Sequence, residues 1–113
     1  LSVISSAPGK QGHVSAEQAD DLTASRNAAP TAVLLDPKGD IGKAYGARTT
    51  PHMFIIDAQG TLAYMGGIDD KATTSVSDVE GAENYVRLAM ADLAAGESVG
   101  KAVTRPYGCS VKY

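Results

Sequence analysis

The chain has 113 residues, 43% hydrophobic and 20% charged, a balance that suits one domain with a core of its own. Its formal net charge of −3 and pI near 5.2 come with ten Lys and Arg that are scattered and form no basic stripe, so no nucleic-acid partner is expected. A single cysteine excludes a disulfide scaffold, two distant histidines argue against a zinc site, and no apolar run nears the roughly 20 residues that span a bilayer.

The opening LSVIS is short, apolar and β-branched, and SAPGKQGH after it has the chemistry of a turn. It predicts a strand. In VSAEQADDLTASRN, Ser15 can cap a helix, Gln18 can complete a capping box, and Val14 can staple onto Ala19. The apolar face of this helix, Ala16, Ala19, Leu22 and Thr23, is thin, which predicts a surface helix. Ala32 to Leu35 predict a second strand, closed by the turn DPKG. Asp40 is then expected to cap a short helix in which Ile41, Ala44 and Tyr45 share one face and which ends at Gly46.

The stretch ARTTP reads as a loop. HMFIID is continuously apolar, as in a strand covered on both faces. DAQGT is a tight turn and TLAYMGG alternates, so these two strands are expected to form an antiparallel hairpin. A polar stretch, IDDKATTSVSDVEG, leads to AENYVRLAMADLAAG, where Val86, Ala89, Met90 and Leu93 are expected to line one helical face that ends at Gly96. The tail, ESVGKAVTRPYGCSVKY, has no strong period and is expected to run along the surface. Strands alternating with helices predict an α/β fold in a single domain, residues 1–113.

The run DPKGDIGKAYGARTTPHMFIIDAQGTLAYMGGIDD resembles the second half of a thioredoxin-like redoxin, of the thiol reductase and alkyl hydroperoxide reductase/thiol-specific antioxidant group. The likeness extends from LSVIS to the closing GCSVKY, which is similar to a tail in one bacterial branch of that group. It implies a thioredoxin-like mixed sheet with flanking helices and a thiol oxidoreductase or thiol peroxidase activity. No cofactor is expected. The partners implied are a protein thiol or disulfide, or a peroxide. The frequent export of the family points to the bacterial envelope, and the cytoplasm stays open.

In that family the proline matching Pro51 follows a cis peptide bond, so the backbone of Thr50 would form a ledge for an extended substrate beside the active-site sulfur. Read without the family, Pro51 is a trans proline that merely opens a strand. The nucleophilic cysteine of the family precedes the segment matching LSVIS, so the chain is expected to be an N-terminally truncated portion of the fold. The strand that belongs between LSVIS and HMFIID would be absent as well. The resulting open edges predict a rearranged or strand-exchanged form, including a homodimer through those edges.

Cys109 is expected to be exposed, either as a resolving thiol for the upstream cysteine or as a spare surface thiol. His52 could carry a proton to a thiol or be a half-buried residue at a strand end, and Arg48 could favour a thiolate by its charge or be simply solvated. Asp69 and Asp70 read as a polar loop. Tyr64, Met65, Tyr85 and Met90 read as core or its rim, and His13 has no assigned role. A non-catalytic module that binds extended peptides on the same ledge is the alternative reading of the whole.

Overall fold

The computed structural model describes residues 1–113. With 27% helix and 21% strand, neither class of element dominates, and the fold is α/β. The chain forms two compact units, one of Leu1–Ala47 with Val111–Tyr113, the other of Arg48–Ser110.

The first unit is built on a parallel pair of strands, β1 (Ser2–Ile4) and β2 (Val33–Leu35), with Ser2 opposite Val33 and Ile4 opposite Leu35. The crossover between them carries α1 (Ala16–Ser25), as parallel strands require a long connection. The capping box at its start is realised in full. The Gln18 amide donates to Ser15 Oγ at 3.1 Å, and the Ser15 amide donates to Gln18 Oε1 at 2.9 Å. Ala19 is buried while Leu22 stays exposed, so α1 is a surface helix as its thin face predicted.

The second helix, α2 (Asp40–Tyr45), departs from expectation at its start. Asp40 is its first helical residue, and the cap position belongs to Gly39, at φ +73°. The side chain that serves this end is Asp36, whose carboxylate accepts the Gly42 amide at 2.9 Å and the Ser5 hydroxyl at 2.7 Å. A carboxylate six residues before the amide it receives falls outside the usual cap spacing, which is why Asp40 looked the better candidate. Gly46 ends α2 at φ +69°, as expected. Tyr113 closes the unit by donating its hydroxyl to the Ala47 carbonyl at 2.6 Å.

The second unit holds β3 (Thr49–Thr50), β4 (Met53–Ile56), β5 (Leu62–Gly66), α3 (Asp78–Gly81), α4 (Tyr85–Ala94) and β6 (Cys109–Ser110). β4 and β5 form the expected antiparallel hairpin, with Phe54 opposite Met65 and Ile55 opposite Tyr64. The Asp57 carboxylate holds its turn by accepting the amides of Gln59 at 3.0 Å and Thr61 at 2.9 Å. The expectation that HMFIID is covered on both faces is corrected: Met53, Phe54 and Ile55 are half-buried, and Ile56 is exposed. β4 pairs with β5 in a sheet of two strands.

The buried centre of this unit is Tyr64, fully enclosed on β5. Its hydroxyl donates to the Gly67 carbonyl at 2.5 Å and lies 2.6 Å from Thr104 Oγ1, which also accepts the Gly67 amide at 3.1 Å. A β-carbon on Gly66, at φ +149°, would collide with Thr104, so glycine is required where the incoming chain crosses β5. α4 turns Tyr85, Val86, Ala89, Asp92 and Leu93 inward, with Ala89 buried. Met90, expected on that face, points to solvent at 54% exposure. Asp92 stands on the inward face in place of Met90, and its carboxylate accepts the Gly100 amide of the chain that follows.

Candidate functional site

Four of the residues singled out in the sequence lie together in the second unit, around the turn that joins β3 to β4. Thr49 and Thr50, expected in a loop, form a strand, and the closing tail, expected to run along the surface, supplies its partner. The two run antiparallel, with Thr49 opposite Ser110 and Thr50 opposite Cys109. The ladder cannot extend past Thr50 because Pro51 has no N–H to donate. The Thr50–Pro51 peptide bond is cis. Through its pairing with Cys109 the backbone of Thr50 is already engaged, where the sequence reading left it open to a substrate.

Gly108 explains how the tail comes so close. Its φ of +142° is one that L side chains rarely adopt, and a β-carbon there would collide with the Thr50 carbonyl. The approach to Gly108 is fixed by two earlier residues. Thr104 is held at Tyr64 and Gly67, and Tyr107 donates its hydroxyl to Asp69 Oδ1 at 2.5 Å. That bond, together with burial and the negative charges of Asp69 and Asp70, pushes the Tyr107 hydroxyl up to about 12. Asp69, read from sequence as part of a plain polar loop, thus anchors the tail. Asp70 accepts the Glu83 amide at 2.8 Å and stays structural.

Cys109 is a free, exposed thiol directly across from Thr50. His52 sits on the other side of Pro51, stacked on Phe54 with ring centroids 4.5 Å apart. Its Nδ1 faces the Arg48 amide at 3.2 Å. An amide N–H can only donate, so Nδ1 is the acceptor and the ring proton of the neutral form resides on Nε2. Burial first, and the nearby Arg48 charge second, lower the His52 pKa below its ordinary value. The imidazole is therefore favoured in its neutral form, with a defined tautomer.

His13 lies in the first unit, where its Nδ1 is 3.0 Å from the Ser6 carbonyl, a structural contact. A groove of about 200 Å³ runs between α4 and residues 99–101, lined by Tyr85, Leu88, Ala89 and Val99. Its carboxylate, Asp92, is spent on the Gly100 amide. Gly108 and Tyr107 are the residues that sequence reasoning missed; a glycine directly before the single cysteine was the one available signal.

Comparison with known proteins bears on the fold. No protein-family model and no curated protein matches the chain. Among solved structures it is similar to an uncharacterized conserved protein from Geobacillus kaustophilus, with a TM-score of 0.83 and 26% identity over 98% of this chain and 57% of that one. It is also similar to the hypothetical protein SMc02350 from Sinorhizobium meliloti 1021, with a TM-score of 0.82 and 26% identity over 98% of this chain and 59% of that one. The chain thus spans less than two thirds of the length of either of these proteins.

Proposed function

We propose that the chain is part of a thioredoxin-like thiol oxidoreductase or thiol peroxidase, in which Thr50 and Pro51 present an extended substrate and Cys109 resolves an oxidised upstream thiol. The observation that carries this reading is the register of β3 with β6, which sets the single cysteine of the chain across from Thr50. Cysteine chemistry requires access, and Cys109 is exposed. In the peroxidase form, a peroxide oxidises the upstream thiolate to a sulfenic acid. The Cys109 sulfur then forms a disulfide with it, and the hydroxyl leaves as water with the Cys109 proton. His52, neutral and carrying its proton on Nε2, offers a hydrogen-bond donor at that nitrogen, because its Nδ1 is taken by the Arg48 amide.

The experiment compares the full-length gene product with its Cys109→Ser variant in dithiol-dependent peroxide consumption and disulfide reduction. Loss of sustained turnover, with one round of oxidation preserved, is the expected result. Unchanged turnover would remove Cys109 from the mechanism.

A second reading is supported by the same ladder. β3 accepts an extended segment along its edge, which is what a non-catalytic module for extended peptides needs. The sequence encoded upstream discriminates the two. A Cys-x-x-Cys or Cys-Pro before Leu1 favours the redox reading, and its absence favours the module.

A further inference from the structure

We propose that Gly108–Ser110 is a built-in strap that occupies the peptide-pairing edge of Thr49–Thr50 and must be displaced before an extended partner can pair there. The inference rests on the reading of Thr50 as a ledge for extended substrates, and adds a regulatory step to it.

The edge is filled by the chain itself in the arrangement a substrate would use, antiparallel and with Cys109 directly opposite Thr50. An incoming strand and β6 therefore compete for the same backbone groups of Thr50, and both cannot pair at once. The strap is short. It comprises two paired residues, both exposed, and Pro51 prevents the ladder from growing. Short, solvent-exposed ladders are the segments that open locally at low free energy.

The strap is also aimed. Tyr107 holds its base through Asp69, and Thr104 holds the chain before it through Tyr64 and Gly67. These contacts remain when Gly108–Ser110 lifts away, so they return the strap to the same register when a partner leaves. Gly108 is the residue on which closure depends, since a side chain there meets the Thr50 carbonyl. The arrangement predicts a protein that is slow to admit extended peptides until the strap opens.

The test uses the full-length protein, its Gly108→Ala variant and a labelled peptide with the sequence of residues 107–112 in which Ser replaces the cysteine, so that binding cannot be covalent. Amide hydrogen exchange at Thr50 and Cys109 reports the strap, and fluorescence anisotropy reports peptide binding. Gly108→Ala is expected to speed exchange at both amides and tighten peptide binding by about tenfold, the factor that corresponds to about 1.4 kcal/mol of released competition. In the unmutated protein, excess peptide is expected to speed exchange at Cys109, a readout that does not depend on how the variant folds. Unchanged exchange in both experiments overturns the strap. Faster exchange without tighter binding overturns the competition, while the redox reading, which is tested by turnover, is left standing.

Discussion

Cys109 lies directly opposite Thr50 in an antiparallel pair, and the chain reaches that position only because Gly108 before it has no side chain. The relationship joins the strand that precedes the β4–β5 hairpin to a segment near the end of the chain. It brings an exposed thiol to a backbone edge that the sequence alone had left empty.

The anchor of this segment can be read spectroscopically. With its hydroxyl pushed up to about 12 by Asp69, Tyr107 is expected to ionise well above the ordinary value of 10.0. Ultraviolet titration of wild type and Tyr107→Phe gives the difference spectrum of this one tyrosine. The fold favours the neutral phenol, so this contribution to stability is complete below pH 10 and is lost as pH rises from 10 through about 12. Asp69→Asn is expected to bring the titration back towards 10.

Asp36 makes the opposite prediction at acid pH. Burial raises its pKa, but bonds from the Ser5 hydroxyl and the Gly42 amide, with further help from the amides of Ile41 and Asp40, outweigh burial and hold the carboxyl below its ordinary value. The fold favours the carboxylate, so the associated stability is present above the unfolded value of 3.8 and is lost as pH falls through the lowered folded value. Asp36→Ala is expected to cost about 1.5–3 kcal/mol at neutral pH in chemical denaturation, the range for hydrogen bonds to a charged group. Its loss is expected to shrink as the pH is lowered.

Tyr64→Phe removes a hydroxyl that serves both Gly67 and Thr104. The Gly67 carbonyl would lose its donor in a buried position, at a cost of about 1–3 kcal/mol. Because Thr104 precedes Tyr107 on the way to Cys109, hydrogen exchange at Thr50 and Cys109 is expected to accelerate in the same variant. A stability loss with unchanged exchange there would show that the two regions are not coupled.

His52 is expected to titrate below 6.5 when its ring protons are followed by nuclear magnetic resonance. Arg48→Ala is expected to raise the midpoint without restoring the ordinary value, because burial is the larger cause and Arg48 the smaller. The neutral ring is the form the fold favours. Its stabilising contribution is therefore complete above pH 6.5 and is lost as pH falls from there through the lowered value.

Local chemistry made much of the fold legible. The capping box of Ser15 and Gln18, the glycine that ends α2 and the β4–β5 hairpin each depend on residues a few positions apart, and each formed as read. What the sequence hid depends on distant partners. The β3–β6 pair joins residues about sixty positions apart, and neither two-residue strand has a period of its own. Asp36 was hidden because its bonds reach forward to Gly42 and back across the parallel strands to Ser5. Met90 was assigned to the core because it suits an apolar face, whereas Asp92 stands on the inward face and bonds to Gly100. At the candidate site, residue types pointed to Thr50, Pro51, His52 and Cys109, but only the register showed that the thiol and the edge share one place.

The most direct measurement of the central claim is the oxidation state of Cys109 in the full-length protein. The protein is treated with substoichiometric hydrogen peroxide, free thiols are trapped by alkylation, and its disulfides are mapped by mass spectrometry. The account predicts a disulfide between Cys109 and a cysteine upstream of Leu1, formed as the peroxide is consumed. Cys109 recovered fully alkylated while another thiol is oxidised would contradict it.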